Sequence, residues 1–244
     1  MQVVTWNLRN GAGGAVLPQL QAELRADVLL LQEMTAVPDH ARAIWTKVPG
    51  GRWGSAVVTT LGVVRPIVLP GYEGWVVGAE ITSEIGPLAV FSVHAPTSTK
   101  TVPRRPYTDE VISILALIRE VVSPSTHLLI GGDFNFTLGE RHASEVLKTS
   151  AGDRRALAAI GDAGLVSCWT VTHPNQPLPQ TLRWSSDKSS GKTTPYHCDG
   201  ILVPKQWSGS VNCGIHADER YTVSDHNPVS ASVMFPTTPS PPPT

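Results

Sequence analysis

The sequence predicts a single domain of the α/β class, rich in short strands and poor in helices. Three observations predict it. Apolar runs of strand length recur along nearly the whole chain, divided by Gly- and Pro-rich punctuation. Only a few stretches carry apolar residues at helical spacing. With 41% apolar and 16% charged residues, the 244-residue chain has enough hydrophobic material for one sizeable core and is no disordered polar chain.

Taken in order, Val3 to Leu8 is a β-prone run that stops at Asn10-Gly11-Ala12-Gly13-Gly14, a loop. Pro18 opens a helix, because its missing N–H costs nothing in a first turn. Leu17, Leu20 and Leu24 give that helix one apolar face. Val28-Leu29-Leu30-Leu31 then reads as a strand buried on both faces. Ala56–Val58, Trp75–Val77 and Leu88–Phe91 are further strands. Pro106 starts a second helix that buries Val111, Ile114, Leu115 and Ile118. His127 to Gly131 is a strand leading into Gly132-Asp133-Phe134-Asn135. Short helices are expected near Ser144–Lys148 and Arg154–Ile160, and strands near Gly200–Val203, Val211–Ile215 and Val229–Met234. Residues 1–235 therefore read as one domain without internal repeats. Residues 236–244 contain only Pro, Thr and Ser, which cannot bury a core and predict a disordered tail.

Bulk charge excludes little. A net charge of -1 gives no basic excess to mark a tight non-specific nucleic-acid binder, although a local basic rim would escape that total. Cys168, Cys198 and Cys213 are odd in number and widely spaced, so they suggest neither a zinc cage nor a disulfide framework. Free thiols, a start without a leader-like segment and the lack of an apolar run of membrane-spanning length predict a cytoplasmic protein.

The informative residues are polar ones placed where apolar strands end, since rigid elements fix such side chains yet leave them accessible. Asn7 ends the first strand, Glu33 follows Leu31-Gln32, and His94 ends the strand through Phe91. Asp133 and Asn135 follow Ile130 across two glycines, Asp199 opens the Gly200–Val203 strand, and Asp225 with His226 precedes the last one. Carboxylates gathered at strand ends repel one another, and a hard divalent cation such as Mg2+ relieves this while keeping waters for a phosphate. Imidazole supplies a proton or a charged hydrogen bond near neutrality. A Cys/His zinc cage fits poorly with a set dominated by oxygen donors.

Each residue also has a plain structural reading. Asn7 could satisfy a turn, Glu33 could cap a helix near Val37-Pro38, and Gly132-Asp133 and Asp225-His226 could be simple turns. Their ordered combination is what separates them from turns. Thr5-Trp6-Asn7, Leu31-Gln32-Glu33, Val93-His94-Ala95-Pro96, Gly132-Asp133-Phe134-Asn135, Cys198-Asp199-Gly200-Ile201 and Ser224-Asp225-His226-Asn227-Pro228 resemble the motif series of the endonuclease/exonuclease/phosphatase superfamily. That superfamily includes pancreatic-type DNases, apurinic endonucleases, inositol polyphosphate 5-phosphatases and neutral sphingomyelinases.

The resemblance implies a DNase I-like, four-layer αββα sandwich of two packed mixed sheets flanked by helices. It implies Glu33 as principal Mg2+ ligand, supported by Asn7 and Asp225, with Mn2+ as a substitute. Asp133 would orient or deprotonate the attacking water, and Asn135 would hold that water or the phosphate. His226 would contact a non-bridging oxygen with Asp199 fixing its tautomer, and His94 would stabilise or protonate the leaving oxygen. Members differ over one metal or two, so Asp133, Asn135 and His226 could also be ligands.

The expected reaction is in-line attack of water on a phosphoester, with a monomeric nuclease acting on DNA or RNA as the leading reading. The alternatives are a phosphatase or phosphodiesterase for a small or lipid phosphoester, and an inactive binding protein of the same fold. Arg183 is a further candidate for a substrate phosphate. Trp6, Trp53 and Trp184 could face a base or lipid, although core packing is their default. Arg52, Arg104, Arg105, Lys188 and Lys192 sit in expected loops and could form a basic rim. His40, His127, His142, His173, His197 and His216 are expected in surface or core roles.

Overall fold

A computed structural model describes residues 1–36, 42–62, 64–83, 86–96, 105–145, 147–184 and 194–235. The expectations placed on Pro38, His40, Arg104, Lys188, Lys192 and the 236–244 tail lie outside the described residues. One six-stranded sheet holds β1 (Gln2–Asn7), β2 (Val28–Met34), β3 (Ala43–Lys47), β4 (Gly54–Thr59), β13 (Val211–Ile215) and β14 (Val229–Val233), in the order β13-β14-β1-β2-β4-β3. A second holds β5 (Val64–Ile67), β6 (Val76–Ser83), β7 (Gly86–His94), β8 (His127–Asp133), β9 (Leu165–Ser167) and β12 (Asp199–Pro204), in the order β5-β6-β7-β8-β12-β9. Each is mixed: β1 pairs parallel with β2, β7 pairs parallel with β8, and the other pairings are antiparallel.

Strand alternation sorts the apolar residues into layers. Val3, Val28, Leu30 and Val57 of the first sheet meet Val90, Leu129, Ile201 and Val203 of the second in the central core. The opposite face of the second sheet, with Phe91, Val93, Ile130 and Leu202, is covered by α2 (Tyr107–Val121) and α3 (Ala151–Asp162). The outer face of the first sheet, with Val4, Trp6, Leu29 and Leu31, is covered by α1 (Leu17–Leu24) through Leu20. Helix, sheet, sheet and helices make the four-layer αββα sandwich. A short helix, α4 (Cys168–Thr172), and a hairpin of β10 (Leu182–Trp184) and β11 (Thr194–Tyr196) complete the elements the site needs.

Helix faces follow the periodicity. All four residues expected inside α2 are buried, and Pro18 lies in the first turn of α1. α3 begins at a capping box in which Ser150 and Asp153 satisfy each other's backbone N–H groups. The helix expected near Ser144–Lys148 is instead a turn at Ala143-Ser144. Its carbonyls are claimed locally, because Lys148 Nζ donates to Ala143 O and Glu145 O, while Glu145 receives the N–H of His142 and the guanidinium of Arg141. Trp75 falls just before β6 rather than within it.

The two sheets are stitched by buried polar side chains. Gln32 Nε2 of β2 donates to Ser92 Oγ of β7 at 2.9 Å, and Ser92 Oγ donates back to Leu31 O at 2.8 Å. Such bonds fix the relative position of two apolar surfaces that could otherwise slide. Gly132 of β8 permits a close approach of β7: a Cβ there would lie 1.8 Å from Val93 O.

Candidate active site

The same alternation that builds the core delivers the polar residues. On β1 the inward positions are Val3, Thr5 and Asn7, and on β7 they are Leu88, Val90, Ser92 and His94. Because β7 and β8 run parallel in register, His94 lies beside Asp133. Because β12 runs antiparallel to β8, Asp199 lies on Asp133's other side. Asn7 and Glu33 come from the facing sheet, and Asp225 and His226 from the turn before β14. Asn7, Glu33, His94, Asp133, Asn135, Asp199, Asp225 and His226 thus meet at one end of the sandwich.

Asp133 is the hub, only 2% exposed. Its Oδ2 accepts from Asn7 Nδ2 at 3.1 Å, across the sheets, and lies 3.6 Å from His94 Nε2 and 3.8 Å from His226 Nε2. Its Oδ1 accepts the Asn135 N–H at 3.0 Å. Asn135 adopts φ 54 and donates Nδ2 to Ala95 O at 2.9 Å, which ties the loop after β8 to the end of β7. Burial first, and the Asp199 carboxylate second, hold the Asp133 carboxyl above its ordinary range.

His226 Nδ1 donates to both oxygens of Asp199 at 2.9 Å. Burial alone would depress this imidazole, but Asp199 and Asp133 outweigh it and raise its pKa to about 10, leaving a cation at neutral pH. Ser224 Oγ accepts the His226 N–H and donates to Asn7 O, and Trp6 Nε1 donates to His226 O, so β1 holds the histidine in place. His94 moves the other way. Burial holds it below its ordinary range, against the pull of Asp133. Its ring lies between Trp53 and Trp75, with centroids 4.9 and 5.4 Å away, and its Nδ1 is buried with no partner among the described residues.

Glu33 sits at a register shift in β2 with φ 54, which turns its carboxylate out of the ladder. Oε1 accepts from Asn7 Nδ2 at 3.2 Å and Oε2 accepts the Asn10 N–H at 2.8 Å. Asp225, 30% exposed, lies 3.6 Å from Arg9 Nε and 4.0 Å from His226 Nε2. The donors gathered at this end of the sandwich are mostly oxygens, so a hard divalent cation fits here. A buried quartet of Asp133, Cys198, Asp199 and His226, with ligand atoms within 4.8 Å of one another, could also hold a cation. In that quartet Asp199 is already committed to His226 and to the Cys198 thiol at 3.5 Å. Glu33 and Asp225 are the more available carboxylates.

Arg183 has a different setting from the one its sequence suggests. Its guanidinium is half-buried and donates to the carbonyls of Tyr221 and Ser224, and its backbone N–H donates to Asp225 O at 2.7 Å. It braces the loop that carries Asp225. Trp6 is fully buried, whereas Trp184 is 45% exposed and packs against Tyr196. Trp53 packs on His94 rather than in a core cluster. Arg105 pairs with Glu110, and Arg52 is exposed beside Trp53. His197 and His216 are held by Pro179 O and Ser230 Oγ, His142 by Ser144, and His173 stacks on Trp169. Three residues around the site had no motif to announce them. Thr181 Oγ1 accepts the N–H groups of both Cys198 and Asp199, Trp75 flanks His94, and Arg9 reaches Asp225. Only tertiary proximity identifies them.

Beside Asn135 a cleft of about 610 Å3 opens, lined by Tyr107, Phe136, Leu182, Trp184 and Tyr196 among others. No described helix is long and apolar enough to cross a membrane.

A model of the Endonuclease/Exonuclease/phosphatase family matches residues 4–226. The chain is similar in structure to a 3'-5' exonuclease (NExo) from Neisseria meningitidis, with 20% identity, a TM-score of 0.74 and coverage of 96% of this chain and 100% of that one. An AP endonuclease from Archaeoglobus fulgidus gives 18% identity, a TM-score of 0.72 and coverage of 96% and 100%. The endonuclease domain of TRAS1, a telomere-specific non-LTR retrotransposon, gives 18%, 0.69, 96% and 98%. At such identities these likenesses establish the fold. No curated protein sequence matches the chain.

Proposed function

Since this chain belongs to the endonuclease/exonuclease/phosphatase family and is a phosphoester hydrolase, we propose that it is a Mg2+-dependent nuclease that cleaves phosphodiester bonds by in-line attack of water. The observation that carries this reading is the Asp133 carboxylate, buried between two imidazoles and the Asn7 amide with Glu33 and Asp225 alongside.

The residues divide the work as follows. Glu33, Asn7 and Asp225 would hold the cation, which would supply Lewis-acid polarisation of the phosphate when bound, with Mn2+ as a substitute. Asp133, held above the ordinary carboxylate range, is a base able to take a proton from water. Asn135 fixes that water or the phosphate. His226, cationic at neutral pH, donates to a non-bridging oxygen, while Asp199 on its other nitrogen fixes tautomer and angle. His94, whose Nε2 faces the carboxylates, stabilises the leaving oxygen. Positioning and electrostatics therefore carry most of the rate enhancement.

A nucleic-acid substrate is supported by the cleft beside Asn135. Tyr107, Trp184 and Tyr196 keep exposed ring surface there, and a base stacked on such a ring gains roughly 1–3 kcal/mol. The catalytic unit is residues 1–235, it acts as a monomer, and residues 236–244 are a tail without a catalytic part. The free, buried thiols of Cys168, Cys198 and Cys213 suit a cytoplasmic location.

The test is nicking of supercoiled plasmid and cleavage of a single-stranded RNA in Mg2+, alongside hydrolysis of bis(p-nitrophenyl) phosphate. Chelator and a His226→Ala variant are the controls. Nucleic-acid cleavage lost in both controls supports the reading. Turnover of the small diester alone moves the substrate to small phosphoesters, and no turnover by folded protein sinks the proposal.

A further inference from the structure

We propose that Arg9 is a phosphate-binding residue of the substrate groove, holding the phosphodiester next to the one being cleaved. The idea rests on the nucleic-acid reading above. Three consecutive residues after β1, namely Arg9, Asn10 and Gly11, have positive φ values of 48, 54 and 82. For Arg and Asn that backbone is disfavoured and persists only where surroundings fix it. Here side chains of the site do so. Asn7 Oδ1 accepts the Arg9 N–H at 3.0 Å, and Glu33 Oε2 accepts the Asn10 N–H at 2.8 Å. Gly11 suits the turn, since its φ of 82 strains other residues and a Cβ there would meet Thr35 Oγ1 at 2.3 Å. The loop is built to place the Arg9 side chain at the mouth of the site.

What Arg9 does there follows from its partners. Its Nε lies 3.6 Å from Asp225 Oδ2, the side chain is 53% exposed, and its guanidinium has no other partner among the described residues. An exposed ion pair at that distance is weak, so stability gives little reason for the strained loop. The neighbouring cations are occupied: Arg183 donates to backbone carbonyls, and Arg220 pairs with Asp218 and Glu23. Arg9 keeps the planar pair of Nη donors that matches two phosphate oxygens. Asp225 separates it from His226, so the phosphate it reaches is a neighbour of the reacting one. Small phosphoesters have no such neighbour, and polynucleotides do.

The experiment is equilibrium binding of a fluorescein-labelled single-stranded oligonucleotide, followed by anisotropy across a NaCl series. It is run in Mg2+ on a His226→Ala background to suppress turnover. Arg9→Gln should weaken binding about tenfold at low salt and flatten the slope of log K against log[NaCl] by about 0.7, the value for one lost phosphate contact on a single strand. Arg9→Lys, which keeps the charge, should retain the slope. A structural role would weaken binding equally at every salt concentration. An unchanged slope in Arg9→Gln, or an equal flattening in Arg9→Lys, overturns the assignment to Arg9 alone. Failure of the parent protein to bind the oligonucleotide overturns the nucleic-acid reading and this inference with it.

Discussion

His197 offers a measurement of the scaffold that is independent of any substrate. It sits beside Cys198 and Asp199, 1% exposed, with Nδ1 on Pro179 O at 2.9 Å. Burial depresses its pKa from 6.5 to about 4, with Arg141 adding to the effect and the Pro179 carbonyl and Glu145 opposing it. The folded protein therefore holds the ring neutral where the unfolded chain binds a proton. Between about pH 6.5 and 4 stability rises with pH, so it is fully present above the unfolded pKa and is lost as pH falls through that window. Integrating between pH 7 and 5 gives a loss of about 2 kcal/mol, and the full window is worth about 3 kcal/mol. For a chain of this size, 2 kcal/mol corresponds to roughly 4–8 °C in Tm. The perturbation is His197→Asn, which can still donate to Pro179 O but cannot titrate. Melting or urea curves at pH 7 and pH 5 read the difference between variant and wild type, which cancels the other titrating groups. The variant should be the less stable at pH 7, and the gap should narrow by about 2 kcal/mol at pH 5. A constant gap would refute the claim that burial keeps this ring neutral.

Glu33→Ala should abolish Mg2+-dependent turnover and weaken metal affinity in a calorimetric titration, and full activity at sub-millimolar Mg2+ would sink its assignment as ligand. His226→Ala should lower kcat by about 10²-fold or more, as expected for a lost charged contact to the transition state; a mild effect would transfer the role to His94. Gly132→Ala forces a Cβ to within 1.8 Å of Val93 O, just where β7 and β8 deliver His94 and Asp133. It should lower stability by at least ~2 kcal/mol and reduce activity with it, and a wild-type melting curve would show that the two strands can part there without cost.

How far the sequence could be read differs between element types. Strands such as Val28–Met34 announce themselves as continuous apolar runs buried on both faces, and helices such as Tyr107–Val121 by a period of 3.6. β3, β5 and the β10–β11 hairpin do not, because they are short edge or satellite strands. Near Ser144–Lys148 the expected helix gives way to a turn at Ala143-Ser144, where Lys148 Nζ takes the carbonyls of Ala143 and Glu145. Within the site, residues at strand ends are legible, since alternation fixes which side chains share the inner face. Thr181, Trp75 and Arg9 act through contacts between residues far apart in sequence, and no local pattern encodes those. Arg183 shows the converse: its sequence context points to phosphate, but its hydrogen bonds go to backbone carbonyls.

The place of β14 has a consequence for biosynthesis. The strand β1 lies between β2 and β14, and it receives β14 only after more than two hundred further residues are synthesised. At about 5–20 residues per second that interval is roughly ten to forty-five seconds. During it, the β1 edge that will accept Val229–Val233 is open to any passing strand. Asp225 and His226 arrive immediately ahead of the strand that closes this edge. The final seal of the first sheet and the final pieces of the proposed active site are therefore one event, so a chain still growing on the ribosome is both the form most exposed to aggregation and a form without catalytic power.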